Sequence, residues 1–263
     1  MKKKLIIFRV IGNKTVGLGH IYRGLSILKE LKNLNCNIKF ITDNQNILAY
    51  QILLKKNLKC TISSRLNIIK NIVRQKPDLV INDILNTSKS DVYSLKQNNI
   101  KVINFEDLGK GIKYADLVIN ELYENPILKY NNIVWGHKYA LLREEFFNIK
   151  PKKFPKKVKS VLITFGGTDN KSITRKTLEH IYDYCNAANI FINIVTGPGY
   201  LKYSELQNMV LRKNMKNISL THSTNVISKY MLKSDIAICS NGRTVHELAH
   251  LNIPSIVISQ HNR

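Results

Sequence analysis

Short apolar runs alternate with amphipathic stretches along this chain, stop at one basic, proline-bearing segment, and then begin again. That rhythm narrows the folds open to it. The runs at 5–10 ("LIIFRV"), 38–41, 79–81, 102–104 and 117–119 are too short for buried helices and too continuous for strands with one wet face. Strands of that kind, separated by amphipathic stretches such as 21–34 and 46–54, predict a parallel sheet covered on both faces. "NIKPKKFPKKVKS" then breaks the pattern with two prolines and a lysine cluster. It reads as a solvated linker rather than a binding patch. Beyond it the alternation restarts with "SVLITFGGTDN", "IFINIVTGPG" and "DIAICSNGRTVHELAHLNIPSIVIS", with a helix expected over about 171–186. We therefore expect an α/β chain of two Rossmann-like parallel-sheet domains facing across a cleft. Residues 1–148 form the first, 149–159 link them, and 160–263 form the second. The last strand, 255–259, is followed only by "QHNR", so the second domain reads as incomplete.

Composition excludes some functions. No apolar run reaches the roughly 18 residues of a membrane span. The basic N-terminus leads into a β-branched run without a cleavage site, so it reads as a first buried strand and not a signal peptide, which points to the cytoplasm. Cys36, Cys60, Cys185 and Cys239 are spread without zinc spacing and read as reduced thiols; no metal and no cofactor is expected. The formal charge is +23, from 41 Lys+Arg against 18 Asp+Glu. The lysines are mostly scattered and carry no aromatic RNA-binding motif. Nucleic acid is disfavoured, a nucleotide phosphate is favoured, and loose attraction to a membrane surface stays open.

Two strand–turn–helix segments hold most of the chemistry. In "TVGLGHIYRG", 15–24, Gly17 and Gly19 leave room for a ligand and His20 opens a helix. The positive end of the helix dipole disfavours imidazolium, so a neutral His20 can act as a general base; a local capping role is the alternative. Arg23, one turn on, can hold a phosphate or carboxylate. In "CSNGRTVHEL", 239–248, a strand ends and a helix starts near Arg243. The turn Ser240, Asn241, Gly242, Arg243 and Thr244 suits an anion, and Glu247 can accept hydrogen bonds from a ribose diol. Gly166 and Gly167 form a further turn that binds phosphate or only turns the chain; "TGPG" at 196–199 is a weaker version. "KPDLVIND" delivers Asn82 and Asp83 at a strand end. No GxxxxGK[ST] occurs, and "GLGHIYRG" is not GxGxxG, so a P-loop NTPase and a nicotinamide enzyme are both disfavoured.

"GLGHIYRG" resembles the GxGHxxR motif of the UDP-sugar hydrolases of the pseudaminic acid pathway and the related spore-coat polysaccharide proteins. "YALLREEF" at 139–146, "ADLVINELY" at 115–123, "ITFGGTD" at 163–169 and "SNGRTVHELAHLNIPSIVIS" at 240–259 are similar to further segments of that family. The resemblance implies a glycosyltransferase-B fold and a UDP-sugar substrate. It also implies metal-independent, inverting removal of UDP from a diacetamido-trideoxy sugar, with His20 activating water. The chain departs from the family at Asn241 and Arg243, where a small-residue turn is usual. Gln260 and Asn262 stand where a glutamine-containing segment is cut short. A glycosyltransferase with a lipid or glycan acceptor is the alternative, and a non-catalytic nucleotide-sugar-binding module is a third reading.

Overall fold

The computed structural model describes residues 3–13, 15–31 and 33–260. Asn262 lies outside the described residues. The chain divides into two compact units, Met1–Leu141 and Leu142–Arg263.

Among the described residues, the first unit contains β1 (Lys4–Val10), β2 (Cys36–Asp43), β3 (Cys60–Ser63), β4 (Leu79–Asp83), β5 (Lys101–Phe105), β6 (Leu117–Asn120) and β7 (Ile133–Trp135). They form one sheet in the order β3-β2-β1-β4-β5-β6-β7, with every pair parallel. Helices α1 (Gly19–Leu31), α2 (Ile47–Lys55), α3 (Ile68–Arg74) and α4 (Lys89–Gln97) cover it. The unbroken apolar run of β1 follows from this double cover. Ile6, Phe8 and Val10 pack with Ile21, Leu28, Ala49 and Leu53 of α1 and α2, while Ile7 joins Ile72, Val92 and Leu95 of α3 and α4. The chain winds outward from β1 to β3, then returns to β4 and runs the other way. The strand order thus reverses between β1 and β4, where open parallel sheets place ligands beyond their carboxyl ends.

The second unit contains β8 (Ser160–Thr164), α5 (Ile173–Ala187), β9 (Phe191–Thr196), α6 (Tyr203–Arg212), β10 (Ile218–His222), α7 (Ser228–Leu232), β11 (Ile236–Ser240), α8 (Thr244–His250) and β12 (Ser255–Ile258). Its parallel sheet has the order β10-β9-β8-β11-β12, so the reversal lies between β8 and β11. Val161, Ile163 and Ile238 face α5 and α6; Leu162, Ala237 and Cys239 face Met231 of α7 and Leu248 of α8. Phe146 is fully buried in that second layer, with Leu142 and Ile149 beside it. The segment before the expected linker is therefore core of the second unit. The linker reading also needs one correction. Lys152 is half-buried, its backbone N–H donates to the Leu251 carbonyl at 2.8 Å, and its Nζ meets Asp235 at 2.8 Å. Its neighbours Lys153, Lys156 and Lys157 are exposed, as a solvated segment should be.

Candidate functional site

The carboxyl ends of β4, β5 and β6 carry Asn82, Asn104 and Asn120, each fully or almost fully buried. Each is followed, within two residues, by an acid: Asp83, Glu106 and Glu121. The asparagines tie neighbouring strand ends together. Asn82 Nδ2 donates to Asn104 Oδ1 at 2.9 Å, Asn104 Nδ2 to Asp107 Oδ2 at 2.7 Å, and Asn120 Nδ2 to the Asp107 carbonyl at 3.0 Å. The three acids converge on Arg23. Its Nε and Nη2 donate to the two oxygens of Asp83 at 2.7 and 2.9 Å. Its Nη1 reaches Glu121 Oε1 at 2.7 Å and Glu106 Oε1 at 3.2 Å. Arg23 is 2% exposed.

This corrects the expected role of Arg23. Its guanidinium is consumed by internal carboxylates and does not face a ligand. Burial opposes its charge, but Asp83, Glu121 and Glu106 outweigh that and hold it more firmly protonated than usual. For Asp83, burial pushes upward, yet the charge of Arg23 and then His20 keep the carboxyl well below the ordinary range.

His20 is the second residue of α1 and is buried. Its Nδ1 lies 2.5 Å from Asp83 Oδ1. Because Asp83 stays ionised, that nitrogen carries the proton, and in the neutral ring Nε2 keeps the lone pair. The ring is oriented by Asp83, which is held by Arg23. Position in the helix alone gave only the dipole; the carboxylate is the nearer influence. Gly17 has φ +87° and its N–H donates to the Asn13 carbonyl at 3.0 Å, so it serves the turn. A side-chain carbon at Gly19 would meet nothing within 4 Å, so space is open on that face. A cavity of about 520 Å³ lies at the same sheet edge, lined by Arg9, Asn13, Asp43, Arg65, Asn86 and Asp91 among others. Val16 and Ile84, neighbours of the motif and of Asp83, also line it; His20 does not.

In the second unit the turns after β8 and β11 meet at the strand-order reversal. A side-chain carbon built on Gly166, whose φ is +74°, would stand 3.8 Å from Ser240 Oγ. Gln260 links the two turns: its Nε2 donates to the Phe165 carbonyl at 2.8 Å, and its N–H to Asn241 Oδ1 at 3.2 Å. Ser240, Asn241, Gly242, Arg243 and Thr244 are all half-buried, and Gly242 is open on its side-chain face. The "TGPG" turn is a support and not a separate site. A side-chain carbon at Gly197 would come within 2.4 Å of the Gly166 carbonyl, and Gly199 N–H donates to the Gly167 carbonyl at 2.8 Å.

Two expectations change here. The α5 terminus after Gly166 and Gly167 is closed to anions, because the buried Asp169 accepts from the N–H groups of Ile173 and Thr174, both at 2.8 Å. Only the glycine turn itself is left to face a phosphate. Glu247 is 5% exposed and paired bidentately with Arg143, Nε–Oε1 2.8 Å and Nη2–Oε2 2.9 Å. A ribose would have to use the lone pairs that Arg143 leaves. Arg143 also meets Glu145 Oε1 at 3.0 Å, and Glu145 accepts from Ser228 N–H at 3.0 Å. The "LREEF" segment thus fixes the acid of α8. Asp83, Glu106, Glu121 and Arg143 were absent from the expected site. The repeated "IN" before an acid at three strand ends was the available signal for the first three.

No family model matches the chain. It is 32% identical over 270 residues to the uncharacterized protein MJ1062 of Methanocaldococcus jannaschii, matching 95% of this chain and 54% of that one. It therefore spans about half the length of that relative. It is 26% identical to the spore coat polysaccharide biosynthesis protein SpsG of Bacillus subtilis, over 95% of this chain and 75% of SpsG. It is 24% identical to a UDP-2,4-diacetamido-2,4,6-trideoxy-beta-L-altropyranose hydrolase of Campylobacter jejuni, over 92% and 86%. Among solved structures, Acinetobacter baumannii MurG superposes with a TM-score of 0.66 at 13% identity, covering 100% of this chain and 80% of MurG. The glycosyltransferase SnogD of Streptomyces nogalater gives 0.61 at 12%, covering 98% and 82%. The Methanocaldococcus jannaschii UDP-GlcNAc 2-epimerase, solved with UDP-GlcNAc and UDP, gives 0.56 at 16%, covering 97% and 83%. At these identities the structural likenesses show the fold, which is of the glycosyltransferase-B class. No helix among the described residues is long and apolar enough to cross a membrane.

Proposed function

We propose that this chain acts on a UDP-linked sugar in polysaccharide biosynthesis, and that it is a hydrolase. His20 takes a proton from water, which attacks the anomeric carbon as UDP leaves and the configuration inverts. The observation that carries this reading is the His20–Asp83 pair. It leaves Nε2 of a buried, oriented imidazole as the proton acceptor, next in sequence to Gly19, whose side-chain face is open space. In the second unit, the Gly166–Gly167 turn and residues Ser240–Thr244 hold the diphosphate, and Glu247, aligned by Arg143, meets the ribose. Donors at the diphosphate stabilise the charge on the leaving group, so no metal is needed. The distant relatives named for spore-coat polysaccharide synthesis and for UDP-sugar hydrolysis support the substrate class.

Incubation with UDP-amino sugars should release UDP with no added acceptor, and His20→Gln should lower that rate about 10²-fold or more. UDP release that depends strictly on an added lipid or glycan acceptor would instead make the chain a glycosyltransferase. Unchanged turnover in His20→Gln would remove His20 from the mechanism.

A further inference from the structure

Three carboxyl groups share one guanidinium at the edge of the first sheet, and their bonding is unequal. Asp83 takes two parallel hydrogen bonds from Arg23 and a third contact from His20 Nδ1. Glu121 spends one oxygen on Arg23 and the other on the Leu141 N–H, at 2.9 Å. Glu106 puts all its donors on one oxygen. Oε1 accepts from Glu121 N–H at 2.8 Å, from Leu122 N–H at 3.3 Å and from Arg23 Nη1 at 3.2 Å. Its Oε2 is buried with no hydrogen-bond partner. A dry oxygen fits a neutral carboxylic acid better than a carboxylate, since leaving a charged oxygen without a donor costs more than leaving a hydroxyl without an acceptor. Charge points the same way. With all three acids ionised and His20 neutral, as a base must be, the single Arg23 leaves a net charge of about −2 in a site shielded from water, and protonating one acid relieves half of it.

We propose that Glu106 is the proton-bearing acid of this centre and a positioning residue for the His20–Asp83 pair. Its neutral form leaves Arg23 on Asp83; its ionised form competes for the same guanidinium and loosens Asp83 behind the imidazole. The inference rests on the reading of His20 as the base. The charged and titratable groups around Glu106 are Arg23 from α1, Asp83 at the end of β4 with His20 of α1 behind it, Glu121 after β6, and its chain neighbour Asp107. Asp107 is engaged elsewhere, with Thr87, Asn104 and Gly109. Burial, with Glu121 and Asp83 adding to it against Arg23, pushes Glu106 up to about 7. The change of state therefore falls near neutral pH.

The test has two arms. In the whole chain with ¹³Cδ-labelled glutamate, one resonance should titrate with a midpoint near 7, and it should vanish in Glu106→Gln. If every glutamate titrates in the ordinary range, the proposal is overturned, and the unmutated spectrum alone decides this should the variant not fold. In the second arm, kcat for UDP release should fall about tenfold per pH unit above the midpoint, with KM unchanged, while Glu106→Gln should retain its rate there. A variant with the same alkaline limb as the unmutated chain would overturn the positioning role. A chain that releases no UDP at any pH would remove the proposed function, while the carboxyl titration would still decide the proton assignment.

Discussion

Arg23 and Asp83 are joined by two parallel hydrogen bonds although 60 residues separate them, and both side chains are only 2% exposed. Asp83 in turn orients His20, so helix α1 and strand β4 are locked together at the imidazole. Removing one member of a buried pair strands the other charge, which costs about 3–5 kcal/mol. Asp83→Asn should lower stability by about that amount in denaturant unfolding. Where it still folds, UDP release should fall about 10²-fold or more, because the imidazole loses the acceptor-only carboxylate that fixes its tautomer. Full turnover in a folded Asp83→Asn chain would contradict the proposed use of His20.

Arg143 and Glu247 make the corresponding lock in the second unit. Because Arg143 is 22% exposed, the pair should be worth less than the Arg23 pair, and Arg143→Met should cost about 1–2 kcal/mol. Its larger effect should be on nucleotide binding, read by calorimetry with UDP, since Glu247 loses its alignment. Equal UDP affinity in Arg143→Met would dissociate Glu247 from the ribose.

Two glycines of the second unit should respond in opposite ways to alanine. At Gly197 the added carbon would come within 2.4 Å of the Gly166 carbonyl and 2.5 Å of Gly167 Cα. Gly197→Ala should therefore cost several kcal/mol or force the glycine turn out of place. At Gly242 the carbon meets nothing within 4 Å. Gly242→Ala should leave the melting temperature within about 1–2 °C while weakening UDP binding, provided the phosphate approaches that backbone. Calorimetry alongside thermal melts separates the two outcomes.

Stability should depend on pH through Glu106 with the sign opposite to that of an ordinary paired acid. Its folded value is raised from 4.5 to about 7, so the native state binds that proton more tightly than the unfolded chain does. The contribution is complete below about 4.5 and is lost as pH rises through about 7, a span worth roughly 3 kcal/mol. Asp83, held low, contributes above its unfolded value of 3.8 and loses that contribution as pH falls below it. Urea unfolding from about pH 5 to pH 8 should show stability declining in the unmutated chain and a flatter profile in Glu106→Gln. Parallel profiles would refute the assignment.

The sequence was most readable where apolar patterning was strong and least readable where long-range bonding decides. β1, β4, β8, β9 and β11 follow directly from continuous runs such as "LIIFRV" and "VLIT". The short strands "CTIS", "IVW" and "ISLTH" carry little periodic signal, because a run of only three to five residues cannot establish a period. His20 was found because it opens a helix. Its partners were not, because Asp83, Glu106 and Glu121 lie 63 to 101 positions away, and only the strand order brings them together. Arg23 was placed correctly on the face of His20, but no local pattern reveals that three acids wait for it. Glu247 was likewise recognised without Arg143, 104 positions earlier.

The reach of Arg23 also dictates a sequence of events during synthesis. Its helix leaves the ribosome before its acids do, since Glu121, 98 positions later, is among the groups that neutralise it. Until β4, β5 and β6 have been made, α1 presents an apolar face and an unmatched guanidinium that cannot be buried without cost. The first unit should therefore close late and in one step. Nascent chains halted before β6 should be readily degraded, and chains extended past it protected.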